Sequence, residues 1–129
     1  MAGKHHILRL DEYNDFETVL HRMKYYTSMT TVNGWRQGTT VVFLKNTDDG
    51  DGVIGVGDLN CVVKYTDMST EDKIICERTR NSFLVKFDKL KALSYPKLVK
   101  KTAIGNWGIY GKMLHGKSAS DKELATILY

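Results

Sequence analysis

Residues 39–66 read TTVVFLK, NTDDGDG and VIGVGDLNCVVKYT, two β-branched apolar runs around a cluster of turn-forming residues. Branching at Cβ favours extended backbone over helix, so each run is a strand. The Asp-Gly steps between them supply the positive φ angles that a hairpin needs. In the first run Val41 to Leu44 are apolar on both faces. A strand tolerates that only when layers cover the sheet on each side, so this run is expected at the centre of a sheet. Gly55 and Gly57 interrupt the second run and predict a bulge or sharp bend, the device by which a sheet curls toward a barrel.

The other elements follow from periodicity. KHHILRL (4–10) reads as a first strand. Tyr13, Phe16, Val19, Leu20 and Met23 fall at helical spacing behind a capping pair, Asn14 and Glu17, which predicts a helix ending near Lys24. Ser69 caps a second helix that runs to about Arg80 and turns Ile74 and Ile75 inward. SFLVKFD (82–88) alternates as a strand does, and Pro96 belongs in a loop or short helical turn. Trp107 to Leu114 is expected to form a glycine-broken strand pair, and Ser120 with Glu123 opens a last helix carrying Leu124, Ile127 and Leu128. The expectation is one α+β domain over residues 1–129, with a mixed, mainly antiparallel sheet and three helices.

Several function classes are excluded by what the chain lacks. There is no run of eighteen apolar residues, and the first thirty residues hold no secretory stretch, so the expected location is cytoplasmic with no membrane partner. Two cysteines, Cys61 and Cys76, make neither a disulfide framework nor a zinc ribbon and read as small buried apolar residues. DDGDG (48–52) lacks the remaining ligands of a calcium loop and reads as a turn. His5 and His6 point to opposite faces of a strand, which is poor geometry for shared ligation, so no metal is expected. No GxSxG elbow occurs, and GVGDL (55–59) leads into a strand rather than a helix, so it is not a dinucleotide fingerprint. No cofactor is implied.

The net charge is +4, but residues 83–117 hold eight lysines against one aspartate, leaving the remainder of the chain acidic. Such asymmetry predicts a polyanionic partner on one side of the molecule, with Lys97, Lys100, Lys101 and Lys117 as phosphate contacts. A solubilising lysine surface has the same composition.

AIGNWGIYGKMLHGK (103–117) puts four glycines beside large rings, and NGWRQG (33–38) repeats the combination around Trp35. A ring beside cations is the composition of a base-stacking surface, and glycine lets a planar ligand approach backbone. On that reading Trp35, Arg36, Trp107, Gly108, Tyr110, Lys112 and His115 are candidate ligand contacts. Tryptophan in a small domain also serves as a core plug.

TTVVFLKNTDDGDGVIGVGDL resembles the central hairpin of PUA-like domains, particularly the EVE and ASCH groups. FLVKFDKLKAL followed by NWGIYGK resembles the later strands of the same small barrel, so the similarity covers roughly residues 36–117. The resemblance implies a mainly antiparallel β-barrel with flanking helices and a cleft, which the wider superfamily uses to hold nucleobases or RNA. Carried over by position, the pocket wall would comprise Trp35, Lys45, Asn46 and the segment Trp107 to Tyr110. The additional cage tryptophans of YTH domains are absent. Of the lysine, threonine and glutamate set of some ASCH amidohydrolases, Lys45 and Thr47 could supply two members. The expected function is therefore an RNA or modified-nucleobase binding module without catalysis. A small hydrolase acting on a modified nucleoside, or an interaction domain for an acidic protein, are the alternatives.

Overall fold

The computed structural model describes residues 5–10, 15–109 and 111–128, the side chain of Lys112 excepted. Six strands form one sheet: β1 (His5–Arg9), β2 (Lys24–Thr27), β3 (Thr40–Thr47), β4 (Gly50–Lys64), β5 (Phe83–Leu98) and β6 (Ser118–Ala119). Three helices accompany them: α1 (Phe16–Arg22), α2 (Thr70–Thr79) and α3 (Asp121–Leu128). The strand order is β2-β5-β4-β3-β1-β6. β1 runs parallel to β3 and all other pairs are antiparallel, so the sheet is mixed and mainly antiparallel.

β3 lies at the centre, and Val41 to Leu44 are fully buried, as two-sided apolarity requires. On one face Leu8, Val41, Phe43, Leu59 and Phe87 form a core with Val19 of α1 and Val32. On the other, Ile7, Val42, Leu44 and Val53 meet Val99, Ile104, Leu114 and the Leu124 and Ile127 stripe of α3. A smaller cluster of Met68, Cys76 and Leu84 seats α2. Burial of one such large side chain contributes roughly 1.5–3 kcal/mol, so these two layers supply most of the driving force.

The sheet is open rather than closed into the expected barrel. β2 spans only four residues and covers β5 from Phe83 to Lys86, while β6 pairs only with His5 and His6, so these two edges are too short to meet. The β4–β5 pairing is nonetheless irregular. Val53 pairs with Lys97 but Gly55 with Ala92, leaving residues 93–96 of β5 as a wide irregularity that accommodates Pro96 within the strand. A Cβ at Gly55 would overlap the Phe16 ring, so the glycine also lets α1 approach the sheet.

Other expectations shift locally. The first helix is capped by Asp15, which accepts the Glu17 N–H at 3.1 Å; Asn14 and Tyr13 lie outside the described residues. α2 starts behind Ser69 as expected, but it buries Cys76 while Ile74 stays 45% exposed. Cys76 is fully buried and Cys61 half-buried, both as free thiols. Among the described residues no helix is long and apolar enough to cross a membrane.

Candidate functional site

A cavity of about 370 Å³ opens where the β3–β4 hairpin tip meets the end of β1 and the segment after β5. Val99 and Leu114, both nearly fully buried members of the core cluster beneath, close its base. Asn46, Asp49, Gly50 and Asp51 of the hairpin form one wall, Arg9 another, and Lys100 and Gly111 the remaining rim. Residues far apart in sequence thus converge on one concavity whose wall is mostly polar and charged.

The register explains who faces it. Side chains alternate across a strand, and Leu44 faces the core beneath the cavity, so Asn46 shares that face while Lys45 and Thr47 take the other. Asn46 pairs with Asp51 across the hairpin, which puts Asp51 beside it. Arg9, two residues beyond Ile7 on the same face of β1, reaches Asp51 in a two-pronged ion pair: Nε to Oδ2 at 3.0 Å and Nη2 to Oδ1 at 3.1 Å. The Asp51 side chain is only 9% exposed and that of Arg9 17%, so the pair is a fixed part of the wall. The backbone N–H of Arg9 donates to His115 Nδ1 at 2.9 Å, so His115 anchors the same strand end. The Asn46 amide makes no hydrogen bond among the described residues and is exposed at the rim.

The glycines of residues 103–117 answer first to the chain's own path. Gly105 sits against the backbone of the preceding turn, where a Cβ would come within 2.8 Å of Lys100 Cα. Gly111 holds φ at +60° at the cavity rim and starts a 3-10 turn to Leu114. The expected strand pair is therefore replaced by the 3-10 turns Ala103–Asn106 and Gly111–Leu114. That is how Leu114 comes to be buried under the cavity instead of facing solvent from a strand.

The expected site residues divide into those the fold gathers and those it separates. Asn46 and Lys100 line the cavity, and Lys101 follows on the same exposed turn. Trp35 and Arg36 stand at the opposite end of β3, on the order of 20 Å away for a strand of this length. The Trp35 ring stacks on His6 at 4.1 Å between centroids and packs against the α1-side core. Trp107 packs against the other core cluster, and its indole N–H donates to Glu123. The backbone N–H of Ser120 holds the Glu123 carboxyl below the ordinary range, against desolvation and with help from that indole. Neither tryptophan lines the cavity, so the two do not form a shared stacking cleft with Lys45 and Asn46.

Lys45 is exposed on the other face, and the Thr47 hydroxyl closes the hairpin turn by donating to Gly50 O and accepting from Asp49 N–H. The two share a face of β3, with the Thr47 hydroxyl engaged in the turn. Lys97 donates to the Thr126 carbonyl at 2.7 Å, tying β5 to the end of α3, and Lys117 is exposed with its carbonyl accepting from Ile7. Gly108 is exposed in a turn; Tyr110 and the Lys112 side chain lie outside the described residues. Arg9 was not singled out from sequence, and Asp49 and Asp51 were read only as part of the DDGDG turn. A turn cluster and a strand-end arginine become a site only when the β1–β3 pairing joins them. No group of three or more metal-ligating side chains occurs among the described residues.

No family model matches the sequence, and no curated protein matches it. Among solved structures the chain is similar to a hypothetical protein from Leishmania major, with 16% identity and a TM-score of 0.55. The likeness covers 97% of this chain and 92% of that one, so what the two share is a fold, nearly end to end.

Proposed function

We propose that the chain is a binding module of PUA-like kind, without catalysis, that takes one base of an RNA strand, plain or modified, in the hairpin cavity. The observation that carries this reading is the cavity's composition. The volume of about 370 Å³ has room for a heterocycle over the buried Val99 and Leu114, and Asn46, Arg9 and Asp49 suit its polar edge. Lys100 at the rim and Lys101 beside it lie where the phosphates flanking an inserted base would run. No indole lines the cavity, so the tryptophan stacking expected from sequence is not part of this reading. The bulged β4–β5 pair is the feature that supports a likeness to the small barrel of that superfamily.

Fluorescence anisotropy with short single-stranded oligoribonucleotides tests the reading. Asn46→Ala and Lys100→Ala are each expected to weaken binding several-fold without lowering the melting temperature, since both side chains are exposed. Trp35→Ala is expected to lower stability by about 2–4 kcal/mol as a partly buried ring is lost. Binding at temperatures where that variant is folded should be unchanged. Binding lost in Trp35→Ala but kept in Asn46→Ala and Lys100→Ala would move the site to the other end of β3.

A further inference from the structure

The wall of the cavity contains a half-used fork. A guanidinium carries five N–H donors in one plane. Asp51 takes the Nε and one Nη2 donor side-on, and these are the only side-chain hydrogen bonds of Arg9 among the described residues. Three donors remain, and two of them, one on Nη1 and one on Nη2, form the end edge as parallel N–H groups away from Asp51. Arg9 lines the cavity and is otherwise largely covered, so the cavity is where a partner can reach that edge.

The charges narrow the partner. Among the described lining residues Arg9 and Lys100 are matched by Asp49 and Asp51. The interior is balanced, and with Asp51 already beside it Arg9 asks for neutral acceptors more than for an anion. Donors that become buried without acceptors are costly, so a ligand edge carrying its own N–H opposite the fork is rejected.

Building on the base-binding reading, we propose that Arg9, held in plane by Asp51, selects a base with two adjacent acceptors: an exocyclic oxygen beside an unprotonated ring nitrogen. Guanine offers this at O6 and N7, the pairing most often made by arginine. Cytosine offers it at O2 and N3. Adenine places an amino donor beside its ring nitrogens, and uracil carries a proton on the nitrogen between its oxygens. Asp51 is then a positioning residue and Arg9 the one that touches the base.

The test is a titration of the unaltered protein with the 5′-monophosphates of guanosine, cytidine, adenosine and uridine at one salt concentration. GMP, CMP or both are expected to bind about 5- to 150-fold more tightly than AMP and UMP. If guanine is the base, 7-deaza-GMP, which lacks the N7 acceptor, falls toward AMP; if cytosine is, only CMP stands apart. Arg9→Lys keeps a cation beside Asp51 but has no planar fork, so it is expected to abolish the ratio. AMP or UMP binding as tightly as the other two overturns the proposal, as does a ratio that survives in Arg9→Lys. Equal binding of all four nucleotides sinks this selectivity and leaves the base-binding reading standing. No binding of any nucleotide or short oligoribonucleotide removes both. Should the variant fail to fold, the panel on the unaltered protein still decides.

Discussion

Asp72 is a carboxylate with 4% of its surface exposed, placed where β2 meets α2. It accepts from Lys24 Nζ at 3.1 and 3.2 Å and from the Tyr26 hydroxyl at 2.7 Å. Burial pushes its carboxyl up, but the hydrogen bonds from Tyr26, Lys24 and Ser69 together outweigh burial and leave it below the ordinary 3.8. Desolvation, then the Asp72 hydrogen bond, pushes the Tyr26 phenol well above 10.0. The signs are opposite. Asp72 binds its proton more weakly when folded, so its stabilisation is present above 3.8 and is lost as pH falls through the lower folded value. Tyr26 binds its proton more tightly when folded, so its contribution is complete below 10.0 and is lost as pH rises beyond it. Tyr26→Phe is expected to cost about 1.5–3 kcal/mol at neutral pH, the range for a hydrogen bond to a charged group. The gap to the unaltered protein should narrow above pH 10 in denaturant titrations. A gap independent of pH would mean the phenol carries no such linkage.

At the scale of elements, α3 shows how a short helix is held. The Ser120 N–H donates to Glu123 Oε1 at 3.0 Å, and the Glu123 N–H donates to Ser120 Oγ at 3.2 Å, a reciprocal cap that also fixes the Trp107 indole through Glu123. Ser120→Ala is expected to cost about 1 kcal/mol and to speed amide exchange through residues 121–128. Unchanged exchange there would show that the core side of α3 alone holds it. This cap was legible in sequence, as were the Ser69 cap, the hairpin and the central place of β3, because each rests on contacts within a few residues or on strict alternation. β2 was not legible, since KYYT is too short to show a period and its strand character comes from pairing with β5. Pro96 argued against a strand, yet the irregularity between the Val53–Lys97 and Gly55–Ala92 pairs absorbs it. The glycine-rich segment looked like strands because its rings alternate with small residues; the positive φ at Gly108 and Gly111 breaks any ladder instead. The site was half legible. Lys100 stood out by the local charge and Asn46 by its position in the PUA-like resemblance, whereas the Arg9–Asp51 pair depends on a contact 42 residues apart that no local pattern announces.

For the molecule as a whole, the lysine excess of residues 83–117 is spread over several surfaces rather than one face. Lys97 is committed to α3, Lys89 and Lys91 lie along β5 beyond the short cover of β2, and Lys100 and Lys101 stand at the cavity. Two phosphate contacts are therefore expected, fewer than the lysine count suggests. For single-stranded RNA the logarithm of affinity should fall against the logarithm of salt with a slope of about −1.4, at roughly −0.7 per phosphate. Replacing Lys100 and Lys101 together by alanine should flatten it almost completely. A slope of about −3 or steeper, insensitive to that change, would place the strand along β5. The central claim, that the hairpin cavity is where a base is held, meets its most direct test in amide chemical-shift mapping of the unaltered protein against a short oligoribonucleotide of mixed sequence. The amides of Asn46, Gly50, Asp51, Lys100 and Gly111 are predicted to shift together while those of Trp35, Arg36 and α2 stay in place. Shifts confined to Trp35 and its neighbours, or no shifts at saturating oligonucleotide, would contradict it.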